Sequence, residues 1–281
     1  MRWTTIGALS LALCSPASPC QAQEWSGVPE LRHHLMSSTN VDQEYSILVS
    51  LPEGYTASQN SYPVIYVLDA EKSFGLARDV ADWLSWAREM PRTIVVGIAY
   101  GGSTQEWWQK RSRDLAPWPD RSKVWGEWPL AGGSEAFRRF LSLELIPFIE
   151  GEYRASADRV LVGISLGGLF GAYDLLSPDR LFGRYLLVSP AYAWDHDGIL
   201  QMEADYSGRS TSLPASVYSA IGAEDEEAVR EPWHRFNAQF AGRGYTGLRF
   251  HTEVFEDETH VSTFPVALTH GLKWLFASGS D

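Results

Sequence analysis

The sequence predicts a doubly wound α/β domain, a mostly parallel sheet with helices on both faces. Short apolar, β-branched runs alternate with segments of helical spacing, and most of those runs are apolar at every position, as strands covered on both sides must be. The strand candidates are 45–51, 64–68, 93–98, 160–164, 185–189, 217–221 and 248–255. The first differs from the rest. Tyr45, Ile47 and Val49 alternate with more polar residues, which predicts an antiparallel strand at the sheet edge. Helices are expected at 134–153, 166–176, 227–241 and 263–277. In the first of these Phe137, Phe140, Leu141, Leu145, Ile146 and Ile149 recur three and four apart behind a capping Ser134. The stretch 107–129 breaks the alternation. Trp107, Trp108, Trp118, Trp125 and Trp128 stand among Lys110, Arg111, Arg113 and Lys123, interrupted by Pro117, Pro119 and Pro129. It reads as a long Trp-rich loop over the active-site edge of the sheet.

With 281 residues, 44% of them apolar, the chain can bury a full core, which excludes a disordered or fibrous protein. The balance of 23 Lys and Arg against 35 Asp and Glu gives a net charge of −12, which excludes a sequence-independent nucleic-acid binder. Residues 1–22 read as an export signal: Arg2, a short apolar run at 6–14, and a small Ala22 before the expected cleavage. Its removal would take both cysteines, Cys14 and Cys20, leaving a single domain at 23–281 without disulfides, periplasmic or secreted and with no stable membrane insertion. No metal site or cofactor is expected, because no cysteine survives and no histidine pair has ligand spacing.

The sharpest local signal is Gly163-Ile164-Ser165-Leu166-Gly167-Gly168, directly between an apolar run and a helix-like segment. A serine on such a strand-to-helix turn is held into the crevice, and the free N–H groups of the helix start favour the anion formed in acyl transfer. A serine hydroxyl needs a base. Of seven histidines, His33 and His34 precede the first predicted strand, His234 and His270 fall in helices, His251 in a strand, and His196 some way past a strand. Only His260 occupies the loop between the last strand and the last helix, which makes it the expected base. The acid is expected past the 217–221 strand, where Asp225 is favoured and Glu224 is its close rival. For the oxyanion, one backbone donor is Leu166 and the other comes from Asp69, Ala70 or Glu71.

These residues lie in long blocks that resemble an esterase family of the α/β hydrolases, in the branch of siderophore esterases that cleave trilactone catecholates. The blocks are YPVIYVLDAEKSF at 62–74, VVGIAY at 95–100, RSRDLAPW at 111–118, GGSEAFRRFLSLELIPFIEGEYR at 132–154, RVLVGISLGGLFGAYDLL at 159–176, FGRYLLVSPAYAWD at 182–195 and THVSTFP at 259–265. The resemblance implies an α/β-hydrolase fold, Ser165 as nucleophile, His260 as base, and the backbone of Leu166 and Glu71 as oxyanion donors. Ala70 and Ile164 depart from residues usual in the family, and some members of the branch work without a firm acid. The resemblance also places Trp194, after Ser189 and Pro190, in the substrate cleft.

The expected function is therefore an exported serine esterase acting through an acyl-enzyme on a small-molecule ester, siderophore esters among them. Acyl transfer of the mycolyltransferase type and a non-catalytic binding protein are the alternatives. Trp107, Trp108, Arg111 and Arg113 offer stacking faces and positive charge to an anionic, iron-bound catecholate. The competing reading has Arg111 and Arg113 paired with Asp114 and Asp120 and the indoles in the core.

Overall fold

The computed structural model describes residues 29–196 and 198–277, so the expected leader at 1–22 lies outside the described residues. Its strands are β1 (Glu30–Ser38), β2 (Gln43–Leu51), β3 (Tyr62–Val67), β4 (Ile94–Ala99), β5 (Ala155–Ile164), β6 (Arg184–Val188), β7 (Ser212–Gly222) and β8 (Thr246–Phe255). They form one eight-stranded sheet in the order β1-β2-β4-β3-β5-β6-β7-β8. All pairings from β4 through β8 are parallel, while β2 pairs antiparallel with both β1 and β4. This is the α/β-hydrolase arrangement.

Period-2 alternation divides the strand side chains between two cores. Val64 and Tyr66 of β3 join one core with Phe137, Phe140, Leu169 and Phe236, and Ile65 and Val67 join the other with Phe74, Ala81, Phe264 and Leu272. Helices α1 (Ala70–Trp86) and α8 (Thr263–Phe276) supply the second core. The first is covered by α3 (Ser134–Phe140), α5 (Leu166–Leu175) and α7 (Glu227–Gly242), with α2 (Thr104–Leu115), α4 (Ile146–Glu152) and α6 (Gly198–Ser207) completing the shell.

Several elements differ from the sequence expectation. Strand β2 is antiparallel as expected, but β1 covers it, so the sheet edge lies one strand further out. His33 and His34 therefore sit within a strand. β1 leaves no apolar signal because its Leu31 and Leu35 face solvent. The stretch 107–129 is not loop throughout: α2 extends to Leu115. A capping box between Ser103 and Glu106 starts this helix, and its buried face carries Arg111, Ser112 and Asp114, so it shows no apolar stripe. Helices α1 and α6 were not among the predicted helices. The run expected at 134–153 is continuous but contains a π turn at Leu141–Leu145, which ends two residues before Pro147. A proline has no N–H and clashes with the carbonyl four residues back, and the wider turn accommodates both.

The chain leaves β3 for β4 on one side, whereas β5, β6, β7 and β8 extend the sheet on the other. The carboxyl ends of β3 and β5 thus flank the switch point where open α/β sheets hold ligands.

Candidate active site

Ser165 stands between β5 and α5 with φ 59° and ψ −118°, a conformation that costs an L-residue roughly 1–3 kcal/mol. Its surroundings hold it there. The Ser165 N–H donates to Val188 O at 2.9 Å, and its carbonyl accepts from Leu169 N and Ala191 N, each at 3.0 Å. Gly163 makes the turn possible, since a Cβ there would lie 2.3 Å from the Gly167 carbonyl oxygen. Leu166 is the first residue of α5 and Glu71 the second of α1, so both N–H groups belong to helix starts that have no intrahelical acceptor.

The turn after β3 is fixed by two side chains. Asp69, at φ 54°, accepts from Arg111 Nε at 2.7 Å, and Arg111 Nη2 donates to Ile164 O at 3.2 Å, next to the serine. Both members of this pair are buried. Burial pushes the Asp69 carboxyl up from its ordinary pKa, and the Arg111 charge opposes that shift. The Glu71 side chain turns away from the crevice to accept from Gly101 N at 2.9 Å and Trp107 Nε1 at 3.1 Å.

His260 comes from the loop between β8 and α8, Asp225 from the loop after β7. Two backbone bonds lock these loops together, Ala223 N to Phe255 O at 2.9 Å and Glu224 N to Glu258 O at 3.0 Å. The approach requires Gly222, where a Cβ would lie 2.0 Å from the Glu258 carbonyl oxygen. His260 Nδ1 lies 3.0 Å from both carboxylate oxygens of the buried Asp225, while the side chain of Glu224 is exposed.

A cavity of about 380 Å³ opens over these elements. Ser165, Leu166, His260, Trp108, Arg111 and Trp194 line it, together with Trp125, Trp128, Ala191, Glu226, Val229 and Val261. Trp194 donates from Nε1 to Trp118 O at 2.8 Å and stacks on Trp125. Two of the residues expected to bind substrate lie outside the lining. Trp107 packs edge-on behind Trp108, and Arg113 pairs with Asp114 at 2.7 Å, as the competing reading of the sequence had it. Arg111 is paired too, but with Asp69, not with Asp114 or Asp120. Residues that sequence reasoning missed, Glu226, Val229 and Val261, neighbour Asp225 or His260 in the chain and carry no motif of their own. A second cavity, about 450 Å³, lies at the amino ends of the parallel strands between Leu51, Trp83 and Arg92 and contains no histidine.

Among the described residues, no group of three or more His, Cys, Asp or Glu side chains is placed to hold a metal ion, and no helix is long and apolar enough to cross a membrane.

A nucleophile elbow at a sheet switch point, with a His–Asp pair at the same crevice, defines the serine-hydrolase class of α/β hydrolases. The sequence model of the family described as "Putative esterase" matches residues 38–268, and the chain belongs to that family of carboxylic-ester hydrolases. It is 29% identical over 265 residues to the ferri-bacillibactin esterase BesA of Bacillus subtilis (strain 168), covering 88% of this chain and 90% of that protein. An IroE-like serine hydrolase from Shewanella oneidensis superposes with a TM-score of 0.79 at 25% identity, over 88% of this chain and 80% of the other. The BES protein from Bacillus cereus shares the fold at a TM-score of 0.80 and 24% identity, over 92% and 100%.

Proposed function

We propose that this protein is an exported serine esterase in which Ser165, His260 and Asp225 form the catalytic triad and siderophore-type aromatic esters are substrates. The observation that carries the reading is that a strained Ser165 and a His260 anchored on a buried carboxylate line one cleft. In this mechanism Nδ1–H of His260 donates to Asp225, which leaves Nε2 bare to take the Ser165 hydroxyl proton. Oγ attacks the ester carbonyl carbon, and the N–H groups of Leu166 and Glu71 hold the resulting oxyanion. The tetrahedral intermediate collapses to an acyl-serine, and the leaving alcohol carries away the proton from His260. Water then attacks the acyl-enzyme by the same route in reverse, regenerating the serine.

Arg111 reaches the cleft as a positioning residue, tying the turn after β3 to the carbonyl next to the nucleophile. The aromatic walls, Trp108, Trp125, Trp128 and Trp194, suit a flat acyl or alkoxy group. The likeness to the ferri-bacillibactin esterase supports siderophore esters as substrates, and the export-signal pattern of the sequence at 1–22 supports export. Ser165→Ala and His260→Ala are each expected to lower kcat/KM for a p-nitrophenyl ester by at least ~10³ while far-UV circular dichroism is unchanged. Retention of activity in either folded variant would contradict the assignment.

A further inference from the structure

The cleft is aromatic, but it offers no uncommitted positive charge. Arg111 is the single Lys or Arg among its lining residues, and it is buried against Asp69, with its guanidinium carbon 5.3 Å above the rings of both Trp107 and Trp108. The other basic residues of the Trp-rich stretch are committed as well. Arg113 pairs with Asp114 at 2.7 Å, Arg121 with Asp195 at 2.8 Å and Lys123 with Glu127 at 2.6 Å, while Lys110 keeps its charge outside the cleft lining and donates to Tyr100 O at 3.3 Å. Against these four ion pairs stands Glu226, an exposed acidic residue of the cleft lining, with exposed Glu224 and Asp257 on the two loops that carry Asp225 and His260. The whole chain adds a net charge of −12. A cleft walled by low-dielectric indoles focuses such a field.

We propose that this cleft selects aromatic esters carrying no negative charge, with the Glu226 carboxylate setting that selection. The inference rests on the esterase reading above and narrows its substrate class. The cavity of about 380 Å³ holds one aromatic arm of an ester, with indoles of the Trp-rich stretch and Glu226 both on its border. An iron-bound catecholate is polyanionic and is disfavoured there, so within the siderophore esters of the reading above the cleft takes the iron-free form with protonated hydroxyls, a departure from the iron-bound substrate that the name of the Bacillus subtilis relative carries.

The test compares the p-nitrophenyl esters of benzoic acid, of terephthalic acid as its monoanion, and of 4-(trimethylammonio)benzoic acid, each kcat/KM divided by that ester's own hydroxide hydrolysis rate. In low salt the anionic ester is expected to be cleaved at least about tenfold less efficiently than the other two, and the gap to shrink toward unity as ionic strength rises past roughly 0.3 M. Glu226→Lys is expected to narrow the neutral-to-anionic ratio about fivefold or more, and Glu226→Gln by less. A change in the folding of Glu226→Lys would leave the wild-type series and its salt dependence as the deciding measurement. Equal or preferred cleavage of the anionic ester in low salt would overturn the proposal, as would a ratio unmoved in folded Glu226 variants. Hydrolysis that survives Ser165→Ala would instead overturn the esterase assignment, so the two failures are distinct.

Discussion

At the scale of single residues, the catalytic assignment depends on which carboxylate meets His260. Asp225 is buried with both oxygens 3.0 Å from Nδ1, whereas Glu224 points to solvent. Asp225→Asn is therefore expected to lower kcat by ~10²–10⁴, since the amide presents the imidazole with the wrong partner for its Nδ1–H, and Glu224→Gln to change kcat by less than about threefold. Steady-state kinetics of the two variants on one ester checks this, and a larger loss in Glu224→Gln would reverse the assignment. The meeting of Ser165 and His260 in one cleft is legible in the sequence, because one stands on a strand-to-helix turn and the other in the loop between the last strand and the last helix. The sequence favours Asp225 as the partner of His260 but leaves Glu224 close behind, because four consecutive acidic residues look alike until a fold buries one of them. The Asp69–Arg111 pair was illegible for a related reason: its members are 42 residues apart, and the nearer Asp114 offered an obvious partner that Arg113 takes instead.

At the scale of elements, strands buried on both faces are legible as continuous apolar runs, and helices with strongly apolar stripes by their spacing, whereas α1 escapes because its buried face is largely alanine, Ala70, Ala77 and Ala81 beside Phe74 and Leu84. Elements whose buried faces are polar, such as α2, or whose apolar residues face solvent, such as β1, give no periodic signal and went unread. Contacts between elements carry stability that no single element predicts. Glu203 of α6 is fully buried and accepts from Arg243 Nη2 at 3.0 Å, Tyr245 Oη at 2.6 Å and Gln239 Nε2 at 2.5 Å, tying α6 to α7 and the start of β8. Burial alone would raise its pKa, but the hydrogen bonds from Arg243, Tyr245 and Gln239 together hold it below the ordinary glutamate value. A depressed carboxylate stabilises the fold above its unfolded pKa of about 4.3, and that contribution is lost as pH falls through the folded value. Glu203→Gln is thus expected to cost about 2 kcal/mol near pH 7, a fall in Tm of roughly 5 °C, with the difference from wild type closing below about pH 4. Thermal melts of both proteins across pH 3–8 check it, and a gap that widens on acidification would contradict the account.

At the scale of the whole molecule, the two cores fix a sheet whose switch point brings three distant chain segments to one crevice. Ser165 follows β5, Asp225 follows β7 and His260 follows β8, so parallel pairing of β7 with β8 sets the loops that join Asp225 to His260. The order Ser, Asp, His along the chain is the order in which this sheet presents those strand ends. The same assembly pairs four of the five positive charges of the Trp-rich stretch and leaves Glu226 in the cleft lining, as the competing reading of the sequence has it for Arg113 and, with a different partner, for Arg111. Reaction of the folded protein with a fluorophosphonate, followed by peptide mass mapping, tests the central claim most directly. A single adduct on Ser165, formed at least ~10²-fold more slowly in His260→Ala, is the expected result. An adduct on another residue, or a folded protein that does not react, would contradict it.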